Sequence, residues 1–103
     1  MQFLTLSIRR EDAAEADLEL REAEIGRAKN LYIEGRIRQL WHRADGPGAC
    51  VLWEAENESQ IQEMLSSLPF VQAGLVDVTV LALRPYAGFG PNRHIPLVRS
   101  FAP

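Results

Sequence analysis

A single cysteine, Cys50, is all the thiol chemistry this chain possesses, so no disulfide can form within it. Only two histidines are present, His42 and His94, too few for the usual ligand set of a structural zinc site. No apolar run approaches the roughly 20 residues that a membrane-spanning helix needs. Among the longest is Val78 to Leu83. The N-terminus lacks the basic-then-apolar layout of a secretory signal, and with the lone thiol this points to a cytoplasmic protein. Like charges nowhere run together: 14 acidic and 11 basic side chains give a net charge of −3 without a concentrated basic patch. That argues against nucleic acid as a partner.

What is present is an ordinary globular balance, 47% hydrophobic and 24% charged residues in a chain of 103. That length makes about one domain and excludes separate cofactor and substrate lobes. A core of this size is modest, and association between copies of the chain adds useful burial.

Leu4, Leu6 and Ile8 alternate with Thr5, Ser7 and Arg9, the period-two pattern of a half-buried first strand. From Asp12 to Glu34 there is no proline and one glycine, which predicts a long helix. On it Ala13, Leu20, Glu24, Ala28 and Leu31 share one face, with Glu15, Glu22 and Lys29 opposite. Gly35 closes the helix. Arg36 to Arg43 is a second strand in which Ile37 and Leu40 break the alternation. Asp45-Gly46-Pro47-Gly48 is a turn, and Ala49 to Trp53 a third, buried strand. Asn57 or Ser59 caps a second helix carrying Ile61, Met64, Leu65 and Leu68, which Pro69 stops. Val76 to Leu83 is the last strand, with Val76, Val78 and Val80 on one face.

The order β-α-β-β-α-β is the ferredoxin-like α+β arrangement, a four-stranded antiparallel sheet with both helices on one face. The other face is then bare. Apolar residues on both parities of the last two strands predict that a second subunit's sheet covers it. Residues 1–85 form this domain, and 86–103, without helical period, an extended C-terminal arm laid on its own or a neighbouring subunit.

Glu24 is the sharpest candidate for chemistry. A carboxylate on an apolar stripe loses solvation in its charged form, which raises its pKa toward the range of a general base at neutral pH. The alternative is a glutamate simply paired with Arg27, Arg38 or Arg84. Trp41 and Trp53, with Tyr32 and Phe70, either line a pocket for a flat ligand or fill the core. Gln39 and Gln62 offer hydrogen bonds to a carbonyl, and Arg84, where the last strand ends, can hold a carboxylate. Gly88-Phe89-Gly90 neither follows the first strand nor opens a helix, so it is no phosphate loop.

Four stretches together resemble the muconolactone Δ-isomerase family: Leu20 to Glu24, Glu34 to Trp41, Met64 to Phe70, and Asp77 to Pro85. The resemblance implies a dimeric α+β barrel, cofactor-free and metal-free chemistry, and homo-oligomers from dimers up to decamers. It also places the family's helix-one glutamate on Glu24. The chain departs from the degradative isomerases at Gln39 and Gln62, where they carry histidines, at Gln72-Ala73-Gly74, and at Arg84-Pro85 in place of His-Pro. These positions are where substrate is expected.

The expected function is therefore a cofactor-independent isomerase or cyclase, transferring a proton on a small unsaturated lactone or related carbonyl compound. Glu24 shuttles the proton, and Gln39, Gln62 or Arg84 steadies the enolate oxygen. Tyr32, Trp41, Trp53 and Tyr86 complete the substrate site. Two alternatives share the scaffold: a non-catalytic ligand-binding or assembly protein, and a cofactor-free monooxygenase.

Overall fold

The computed structural model describes residues 1–89. The expected arm beyond that point, with His94 and its apolar residues, lies outside the described residues. Four strands form one antiparallel sheet: β1 (Gln2–Arg9), β2 (Ile37–His42), β3 (Ala49–Glu54) and β4 (Val76–Ala82), in the order β2-β3-β1-β4. The helices are α1 (Leu18–Ile33), α2 (Glu58–Ser66) and a single turn, α3 (Pro69–Gln72). The ferredoxin-like architecture is as expected. No helix among the described residues is long and apolar enough to cross a membrane.

The register decides which side chains meet. Phe3 lies opposite Trp53 and Ala82, and Thr5 opposite Val51 and Val80. This parity faces the helices. Phe3, Val51, Trp53 and Ile37 pack with Leu31 of α1 and with Ile61, Met64 and Leu65 of α2 in one buried core. Within it the Trp53 indole N–H donates to Thr5 Oγ1 at 2.8 Å, so both buried polar groups are satisfied. The opposite parity, with Leu4, Leu6, Ile8, Cys50, Leu52, Trp41 and Leu81, forms the second face, half-buried to exposed.

The broken alternation of the second strand has a local cause. A bulge shifts the β2–β3 register between Ile37 and Gln39, so Ile37 and Leu40, three apart, point the same way. Gln39 and Trp41 consequently take the open face, opposite Leu52 and Cys50.

Two boundaries differ from expectation. The first helix begins at Leu18 rather than near Asp12. Asp17 caps it, its Oδ1 accepting from Leu20 N at 2.8 Å, while upstream Arg10 pairs with Asp12 and the Ala13 N–H turns back to the Arg10 carbonyl. Ala13 therefore lies off the helix. Pro69 does not merely end α2, which stops at Ser66; it opens α3, where a proline's missing N–H costs nothing.

Both α1 and α3 finish in the same way. Gly35 (φ 80°) and Gly74 (φ 70°) adopt the left-handed conformation that favours glycine. The Gly35 and Arg36 N–H groups return to the Tyr32 and Leu31 carbonyls, and those of Gly74 and Leu75 to Val71 and Phe70.

Candidate functional site

The helical stripe read from the sequence does face inward. Leu31 is buried, and Leu20, Glu24, Arg27 and Ala28 are half-buried, while Glu22 and Lys29 point to solvent. The stripe meets the turn linking α2 to α3. There Glu24 Oε1 accepts the Phe70 backbone N–H at 2.8 Å, one of the free donors at the start of α3. One turn further along α1, Arg27 Nε donates to Ser67 Oγ at 2.9 Å, and that hydroxyl donates to the Met64 carbonyl at 2.6 Å. The partner of Glu24 is thus a backbone amide and none of Arg27, Arg38 or Arg84.

Burial raises the Glu24 pKa above its ordinary value, and the hydrogen bond from Phe70 opposes this only in part. The second carboxylate oxygen makes no hydrogen bond among the described residues. Among the described residues no unpartnered side-chain oxygen is sealed from solvent, so Oε2 keeps contact with it. Glu24 is therefore fixed through one oxygen and open through the other, with a raised proton affinity. That is the state a general base requires.

The other candidate residues do not converge on it within one chain. Gln39 and Trp41 lie on the open sheet face, across the sheet from the helices that carry Glu24. Trp53 is 1% exposed and belongs to the core, which leaves it no surface for a ligand. Gln62 is exposed on α2 and Tyr32 on α1. Arg84 is exposed just past β4, beside an open cleft of about 710 Å³ lined by Met1, Gln2, Glu54, Leu83, Arg84 and Pro85. Tyr86 is exposed shortly after it. Neither this cleft nor a smaller one at Ile8 to Glu11 and Pro47 is lined by a residue of α1. Among the described residues, no cluster of three or more histidine, cysteine or acidic side chains could hold a metal ion.

Sequence reasoning treated Arg27 only as a stabilising counter-charge and missed Ser67. The Leu68-Pro69 step was the available signal, because proline at the first position of a helix announces free N–H groups that need an acceptor.

Comparisons with known proteins agree with the fold. No curated protein sequence matches the chain significantly. Several solved structures match, and two of them illustrate the shared fold. A muconolactone isomerase superposes with a TM-score of 0.73 at 20% identity, covering 84% of this chain and 92% of that one. A 5-chloro-2-hydroxyhydroquinone dehydrochlorinase from Burkholderia phenoliruptrix, in complex with 2,5-dihydroxybenzoquinone, gives 0.69 at 19%, covering 82% and 94%. The family model described as muconolactone delta-isomerase matches residues 2–87, from the first strand through the last, and the chain belongs to that family.

Proposed function

We propose that the protein is a cofactor-independent isomerase or cyclase, with Glu24 as the base that moves a proton on a small unsaturated lactone or related carbonyl compound. The observation that carries this is the state of Glu24: half-buried, raised in pKa, held by the Phe70 N–H through one oxygen and open at the other. In such a step the carboxylate removes a C–H proton adjacent to the conjugated carbonyl. The electron pair becomes an enolate, and Glu24, which can exchange its proton with solvent, returns a proton to another carbon, so the product is an isomer of the substrate.

The enolate oxygen needs a fixed donor. Arg27 suits this role better than Gln39, since it lies on the same helix face as Glu24, three residues on. Its Nε is anchored on Ser67, and its remaining guanidinium N–H groups have no hydrogen bond among the described residues. Gln62 and Arg84 remain candidate substrate contacts, with Tyr86. Gln39 and Trp41 serve instead on the open sheet face, which we assign to pairing with a second copy of the chain. Leu4, Leu6, Leu52 and Leu81 are the apolar residues that such pairing removes from water.

The test is exchange of the acidic C–H proton for deuterium in a panel of unsaturated lactones, followed by NMR. Glu24→Gln should slow exchange by about 10²–10⁴-fold, the usual contribution of a general base. Unchanged exchange on a substrate that the wild type turns over sinks the proposal. A second interpretation is favoured by the hydrogen bond itself: Glu24 caps α3, and the protein is a non-catalytic assembly or ligand-binding member of the family. No exchange above background in the wild type, across the lactone panel, supports that alternative.

A further inference from the structure

An exposed side of α1 carries an apolar row that no described residue covers. Leu18, Ile25 and Tyr32 are 63%, 67% and 58% exposed. Their seven-residue spacing stacks them along one line of the helix, about 120° round it from the stripe of Leu20, Glu24 and Leu31. Exposed Ile33 extends the patch at its C-terminal end. Lone exposed apolar side chains are normal on a protein surface, but a row in register over the whole helix is a contact surface.

The charges beside the row select its occupant. Glu22 and Lys29, both exposed, lie on the same flank. When α1 meets the α1 of a second copy antiparallel, about a two-fold axis at Ile25, the two isoleucines face each other and Leu18 faces Tyr32. On the flank, Glu22 of each copy then falls within one residue of Lys29 of the other, giving two opposite-charge pairs.

We infer that the outer row of α1 is a second self-association surface, joining antiparallel to the same helix of another copy and linking pairs already formed through the open sheet face. The linking role rests on the sheet pairing proposed above. One helix pair buries less than the roughly 1,200–2,000 Å² of a standard stable interface, so it acts in concert with that first contact.

Disulfide trapping in the full chain, in a Cys50→Ser background, tests the contact directly. Ile25→Cys should cross-link to itself under mild oxidation, read on non-reducing gels, while Glu19→Cys on the helix flank should not. In native mass spectrometry Ile25→Glu should reduce the wild-type assembly to dimers. Glu22→Lys should weaken the assembly, and adding Lys29→Glu should restore it; circular dichroism checks that each variant is folded. Equal cross-linking at positions 19 and 25, or an assembly mass indifferent to Ile25→Glu, overturns the inference and shows that the row serves another occupant. A wild type that is only a dimer, dissociated by Leu6→Asp and unaffected by Ile25→Glu, overturns it while leaving the sheet pairing intact. A monomeric wild type with no cross-link at position 25 overturns both.

Discussion

Replacing Glu24 separates its two roles, because alanine and glutamine remove different things. Alanine takes away the side-chain acceptor of the Phe70 N–H and leaves a half-buried donor at the start of α3. Losing a capping acceptor typically costs about 1 kcal/mol. For a domain of this size that lowers the melting temperature by about 4–8 °C. Glutamine keeps an amide oxygen in place and removes the charge. The weaker neutral bond is offset by relief from burying a carboxylate, so Glu24→Gln should stay within about 0.5 kcal/mol of wild type at pH 7.

The pH dependence sharpens the distinction. Burial lifts the folded-state pKa of Glu24 above its ordinary value of 4.5, so the folded chain binds this proton more tightly than the unfolded chain. The group's contribution to stability therefore falls as pH rises from about 4.5 through the folded-state pKa, and is constant above it. Glu24→Gln should gain stability relative to wild type across that window. The assay is urea denaturation of wild type and both variants between pH 4 and pH 8. Alanine and glutamine variants of equal stability at every pH would refute the capping role. A wild-type curve parallel to that of Glu24→Gln throughout the window would refute the raised pKa.

Two further predictions concern the scaffold. Thr5→Val should leave the Trp53 N–H buried and without its acceptor, costing about 1–3 kcal/mol, measurable as a lower urea midpoint at unchanged slope. Gly35→Ala should cost about 1–2 kcal/mol, since the +80° φ there places a Cβ against the following carbonyl; a loss no larger than that of a surface substitution would show that the turn relaxes.

The element order, the Gly35 stop and the inward stripe of α1 were legible in the sequence, and Asn57 was one of the two caps it offered for the second helix. Each depends on near neighbours or on simple periodicity, and such local signals survive without knowledge of the fold. The N-terminal end of α1 was misjudged because good helix formers continue upstream of Asp17. There a side-chain cap and the Arg10–Asp12 pair decide the boundary. The uneven pattern of Ile37 and Leu40 was visible, but its cause was not, since a bulge is a property of two paired strands.

The sequence by itself determined the order of the elements and placed a carboxylate on an apolar stripe. Only the tertiary structure decided what that carboxylate does, because its partner is a backbone amide 46 positions away. Every non-proline residue carries such an amide, so it leaves no mark in the sequence. The same holds for the two tryptophans. Strand register sent Trp53 into the core and Trp41 to the open face, and register is fixed by pairing between strands rather than by either residue's chemistry.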